Sequence, residues 1–162
     1  QTGMTALKLE LAGEAQAIIT PRFAAPPALG YRAHVEPELI RRWCLGPDGW
    51  QMPECRFDAR PGGTFLFRWQ NAEGHGFHAA GEILEIDPGQ RILHVERMYL
   101  PDPTPDNRVE TLFLPEGSGT LMRMTMTLPN AEVRAAMLAT GMTEGMEASY
   151  QRMETLLGGI DA

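Results

Sequence analysis

One segment of this chain is long enough to lie across a whole sheet, and it limits what the rest can become. It covers 131–157 and reads AEVRAAMLATGMTEGMEASYQRMETLL. At helical spacing Leu138, Met142, Gly145, Ser149, Met153 and Leu156 share one face, while Thr140, Glu144, Glu147, Gln151 and Glu154 share the other. A continuous helix of this length would span about 40 Å at 1.5 Å per residue. Asn130 is placed to cap its start, Glu132 lies in the first turn, and Gly158 and Gly159 end it. Gly141, Gly145 and Ser149 interrupt the apolar face. Each interior glycine costs about 1 kcal/mol relative to alanine. The missing volume therefore predicts either a closely approaching backbone or room for a guest.

The preceding sequence supplies what such a helix would cover. Apolar alternation between turn clusters predicts strands over 50–59, 64–70, 77–86, 91–99, 108–115 and 120–128. In one of them Phe65, Phe67 and Trp69 share a face; in the last, Met122, Met124, Met126 and Leu128 do. An opening strand is expected over 14–22, followed by short helices over 27–34 and 37–44, each with a proline near its start. The expectation is an α+β, helix-grip arrangement. An antiparallel sheet of about seven strands wraps around one long C-terminal helix, with two short helices after the first strand. A single domain over 4–162 is expected, with Gln1, Thr2 and Gly3 read as an expression remnant ahead of Met4.

Three stretches, PELIRRWCLGPDGW, MPECRFDARPGG and LATGMTEGMEASYQRMETLL, carry a family likeness. In this order they resemble the helix-grip SRPBCC superfamily, in the START and birch-pollen-allergen-like group. Within it they are similar to the branch named after the activator of heat-shock-protein-90 ATPase. The resemblance extends over about 17–157 and implies a fold with a pocket, while leaving activity open. Two positions depart from the pattern. His34 stands where the family typically has an aromatic, and Cys44 where a second tryptophan often follows the one at Trp43.

Net charge excludes some partners. At -7, the chain is poorly suited to nucleic acid or an anionic membrane surface. No apolar run approaches the ~18 residues of a membrane span, and the start has neither a basic nor an apolar leader region, so cytoplasm is the compartment expected. Cys44 and Cys55 match no zinc or redox spacing and are read as reduced, packed thiols. His34, His75, His78 and His94 form no metal-binding spacing, so neither metal nor cofactor is expected.

Methionine is the strongest compositional signal. Seven of the ten methionines lie after residue 121, on the last strand and the last helix. A flexible, polarizable side chain suits a cavity that accepts hydrophobic guests, although it also suits ordinary packing. Trp43, Trp50, Phe67, Trp69, Met124, Met126, Met142, Gly145, Met146 and Ser149 are accordingly the candidate ligand contacts, with Glu96 as the polar one. Over 91–99, Ile92, His94, Glu96 and Met98 share a face, and Leu93, Val95, Arg97 and Tyr99 share the other. Both sets are mixed, so the alternation leaves the inward face open. If the first set points inward, Glu96 and His94 are candidates for acid–base catalysis.

The leading expectation is binding of a small hydrophobic molecule between sheet and helix. One alternative is an enzyme of the cyclase, aromatase or hydrolase type. Another is a protein-interaction module, including chaperone-ATPase stimulation or homodimerisation.

Overall fold

The computed structural model describes residues 7–160, so the reading of Gln1, Thr2 and Gly3 lies outside the described residues. Strands β1 (Lys8–Ala12), β2 (Gln16–Thr20) and β3 (Arg22–Phe23) precede helices α1 (Pro27–Val35) and α2 (Pro37–Trp43). Then come β4 (Trp50–Phe57), β5 (Thr64–Asn71), β6 (Gly76–Asp87), β7 (Arg91–Tyr99), β8 (Asn107–Glu116) and β9 (Gly119–Thr127). Helices α3 (Ala131–Leu138) and α4 (Met142–Gly158) follow. All strand pairings are antiparallel, in the order β1-β2-β9-β8-β7-β6-β5-β4, with β3 also beside β9. The meander from β4 to β9 follows from short turns. Asp87-Pro88-Gly89 is typical, with Gly89 at a φ of 79° that a residue with a Cβ rarely adopts.

The sheet departs from the seven-strand expectation at its beginning. Leu9 and Leu11 of β1 are both exposed, so their alternation marks no buried face and is silent in the sequence. The expected strand over 14–22 divides at Pro21. Proline has no N–H to donate, while its carbonyl accepts from the Met122 N–H at 2.9 Å. Pairing then resumes with Arg22 opposite Leu121.

The long helix is two helices. Asn130 caps α3 as expected, its side-chain oxygen accepting from the Val133 N–H at 2.9 Å. After Leu138 the chain breaks at Gly141, which is left-handed with a φ of 81° and forms the N-cap of α4. The Thr140 hydroxyl donates to the Met137 carbonyl at 2.7 Å and satisfies one end of α3.

Cross-strand partners lie on the same face of a sheet, so the register identifies the interior. One row runs Ala17, Met126, Val109, His94 and Ile83. Ala17, Val109 and Met126 are core residues, so His94 points inward with them. The next rows are Asn107, Glu96, Gly81, Phe65 and Phe57, then Met98, Ala79, Phe67 and Cys55. Arg97 faces outward, donating to Glu82 at 3.0 Å and Asp106 at 2.6 Å.

Helix α4 is clasped along both flanks. Ser149 accepts from the Gly46 N–H at 2.8 Å, and Arg152 donates to the Trp43 and Gly46 carbonyls at 2.9 and 3.0 Å. On the other flank Glu147 accepts from the Leu7 N–H at 2.9 Å and Glu154 from the Ala24 N–H at 2.8 Å. These glutamates, on the face opposite the apolar stripe, tie the backbone next to β1 and β3 to the helix.

Candidate functional site

The interior contains two filled regions. Beneath α1, α2 and α4, Phe23, Leu29, Trp43, Phe113, Met122, Tyr150, Met153 and Leu157 form a buried cluster. His34 lies against it, its ring 4.9 Å from Trp43 and 5.1 Å from Phe113. Its Nδ1–H donates to the Gly30 carbonyl at 2.7 Å, leaving Nε2 to accept from the Tyr150 hydroxyl at 3.0 Å. Loss of hydration pushes the His34 pKa down to about 4, and burial pushes the Tyr150 phenol well up. Both are neutral near pH 7 and bonded to each other. The Trp43 indole N–H is likewise used, donating to the Ala33 carbonyl at 2.9 Å. A second, smaller cluster of Ala17, Ile19, Val109, Met126 and Leu128 lies under α3, with Val133 and Met137 packed on it.

On β5 and β7 lies a band that belongs to neither cluster. Phe67, Trp69, His94, Glu96 and Met98 all face inward from β5 and β7, yet all remain half-buried. His94 Nε2 lies 2.7 Å from Glu96 Oε1, with the two side chains 16% and 29% exposed. The Phe65 ring meets His94 edge to face at 5.4 Å, fixing the imidazole from below. Gly81 makes that approach possible, because a Cβ there would collide with the Val95 carbonyl and come within 2.9 Å of the Phe65 ring. Opposite Glu96, Asn107 is 7% exposed, and its side-chain oxygen is buried without a hydrogen-bond partner. The band thus sets aromatic and methionine side chains beside a small polar patch of His94, Glu96 and Asn107.

Burial pushes the Cys44 and Cys55 thiols up to about 12 and about 11, which removes them as nucleophiles near neutral pH. Among the described residues no group of three His, Cys, Asp or Glu side chains is placed to hold a metal. No described helix is long and apolar enough to cross a membrane. A depression of about 280 Å³ at the β5–β6 hairpin is lined by Trp69 together with Phe77 and Tyr99, and one of about 440 Å³ lies beside Pro27; neither is lined by Phe67, His94, Glu96 or Met98.

With this geometry in view, comparison with known proteins places the chain. The family model described as Activator of Hsp90 ATPase homolog 1-like protein matches residues 24–158. The chain belongs to this family. A crystal structure of a protein from Rhodobacter sphaeroides is similar at 25% identity and a TM-score of 0.90, covering 96% of this chain and 100% of that one. One from Mycobacterium smegmatis has 22% identity and a TM-score of 0.83 over 98% and 99% of the two chains. A solution structure of an AHSA1-like protein from Aeromonas hydrophila has 19% identity and a TM-score of 0.71 over 90% and 98%. The last two likenesses concern the fold alone. The comparison with curated proteins gives no match.

Within this AHSA1-like chain the sequence-derived contacts separate into groups. Phe67, Trp69, Glu96 and His94 come together along the band. Part-buried Met124 and Met146 pack against both filled clusters, and Met142 against the smaller one. Trp69 is oriented by its indole N–H, which donates to the Cys44 carbonyl at 2.7 Å, and it stacks on Phe77 at 5.1 Å. Trp50 lies farther along, edge-on to Phe77 at 5.3 Å. Trp43 and Met126 are in the filled clusters rather than the band.

Gly145 and Ser149 meet a loop. A Cβ at Gly145 would lie 3.8 Å from Pro47, and the Ser149 hydroxyl is bonded to Gly46. Of the two explanations for small residues in the helix, the approaching backbone is the one realised there. Asn107 was missed, since an asparagine at the start of a strand carries no sequence signal of burial.

Proposed function

We propose that this AHSA1-like protein binds a small hydrophobic molecule in the cleft between the inner face of β5–β8 and the α3–α4 pair. The carrying observation is the half-buried, inward-facing band on β5 and β7 that lies in neither filled cluster. Apolar side chains that face inward yet stay half-buried are left with area to cover, and a guest gains about 25 cal/mol for each Å² it removes from water. Met142 and Met146 supply adaptable contacts from the helix side, consistent with a guest whose shape is not tightly prescribed. Native mass spectrometry of the protein purified from its own host tests the reading. The expected result is an additional small-molecule mass that is lost in Met146→Trp, which fills the cleft. Retention of the molecule by a folded Met146→Trp variant would place the site elsewhere.

A second reading has one specific observation behind it, the 2.7 Å contact of His94 and Glu96 on the inner face. A carboxylate and an imidazole in contact beside an apolar groove have the make-up of a general acid–base pair. Turnover of a bound molecule that is abolished in both Glu96→Gln and His94→Gln would favour it. Release of the molecule unchanged would leave binding alone.

A further inference from the structure

The sheet has two edges, and they differ in how they are closed. A strand edge offers unpaired N–H and C=O groups to any extended chain, and proteins commonly block it. The β4 edge is blocked. Pro53 has no N–H to offer, the register slips between Gln51 and Glu54, and Arg41 of α2 takes up the Met52 and Pro53 carbonyls, both at 3.1 Å. At the other edge β1 has none of these devices. It contains no proline and pairs with β2 without a break, from Lys8 opposite Thr20 to Ala12 opposite Gln16. Among the described residues no strand lies on its outer side.

β1 also carries the core row out to that edge. Leu9 is opposite Ile19 and Leu11 opposite Ala17, and both partners are completely buried. The two leucines therefore share the inner face, yet they are 37% and 56% exposed. Lys8 and Glu10 alternate with them on the outer face, 3.8 Å apart and open to solvent. A further strand would cover the leucines.

The sequence of β1 specifies which strand. Two copies related by a twofold axis perpendicular to the sheet pair antiparallel, and residues directly opposite each other share a face. The sheet then continues across the axis only if some residue lies opposite its own copy. Centring on Lys8 or Glu10 brings like charges together. Centring on Leu11 sets Glu10 opposite Ala12 and Leu9 opposite Gly13 of the turn. Centring on Leu9 joins the two Leu9 side chains and places Lys8 of each copy opposite Glu10 of the other, twice per interface. Apolar pairs and opposite charges across strands are both stabilising.

We infer that two copies of this chain associate edge to edge through β1, antiparallel about Leu9, with reciprocal Lys8–Glu10 pairs. The edge lies outside the cleft, so the association does not depend on a ligand. Analytical ultracentrifugation of the full chain reads it, and the unmodified protein is expected to sediment as a concentration-dependent dimer. Lys8→Glu and Glu10→Lys each turn both reciprocal pairs into like-charge pairs, and each is expected to weaken association about tenfold or more. An equimolar mixture of the two variants has opposite charges at both positions again. It is expected to form a mixed dimer about as tightly as the unmodified chain, which also shows that both variants are folded. A monomer at every concentration, a dimer that survives both single substitutions, or variants that fail to recombine would each overturn the inference.

Discussion

His34 and His94 lie in two regions of one interior, and the regions differ in how completely their polar groups are used. His34 has both ring nitrogens engaged, one by the Gly30 carbonyl and one by Tyr150, among rings that displace its water. His94 has one partner, Glu96, which itself has an oxygen to spare, and the neighbouring Asn107 has an orphan acceptor. Full satisfaction in a filled cluster is what structural polar groups require. Partial satisfaction beside half-buried aromatic rings is what the proposed site shows. Histidine content alone would not separate the two; the count of used hydrogen-bonding positions does.

The largest expected contrast is in packing. Trp43→Ala in the filled region is expected to cost about 3–5 kcal/mol, and Phe67→Ala in the band about 1 kcal/mol, measured by urea unfolding. Equal losses would mean the band is packed as core. Next is acid sensitivity. The His34 pKa is lowered in the folded protein, from 6.5 to about 4, so between those values the unfolded chain binds the proton that the folded chain refuses. The His34 contribution is fully present above pH 6.5 and is lost as pH falls toward 4, on the order of 3 kcal/mol in all. His34→Phe, which keeps a ring in the cluster but cannot take up a proton, is expected to flatten that part of the pH–stability curve.

Smaller effects test the polar groups directly. Tyr150→Phe leaves the His34 acceptor unpaired and is expected to cost about 1–3 kcal/mol. Asn107→Leu removes an acceptor that is already unpaired, so it is expected to hold stability or raise it by about 1 kcal/mol. Opposite signs for these two substitutions would sharpen the contrast, and equal losses would break it. Glu96→Gln is expected to change stability least, within about 0.5 kcal/mol, because the side chain is partly exposed.

Much of this contrast begins in legible sequence. Alternation over 91–99 is enough to bound β7, and the Phe65-Phe67-Trp69 and Met122-Met124-Met126 faces are those the structure turns inward. Which face of β7 points inward was illegible, because Ile92, His94, Glu96 and Met98 are no more apolar as a set than Leu93, Val95, Arg97 and Tyr99. Register with Val109 and Met126 decides it, and register is a property of pairs of strands. The break at Gly141 was hidden because methionines on either side continue the helical pattern. The role of Gly145 could not be read from its own helix, since the loop at Gly46 and Pro47 that approaches it is a hundred residues away in the chain. Local pattern thus carries the elements, while long-range pairing determines the site.

The central claim is that the band is open to a guest and the flanking clusters are not. Methyl-labelled methionine places reporters in both, so a methyl NMR titration with 1-naphthalenemethanol, a small hydrophobic probe, tests it most directly. The account predicts shifts at Met98, Met142 and Met146, with Met122, Met126 and Met153, the methionines buried in the clusters, unmoved. Shifts confined to Met122, Met126 and Met153, or no methionine shift with a saturable probe, would contradict it.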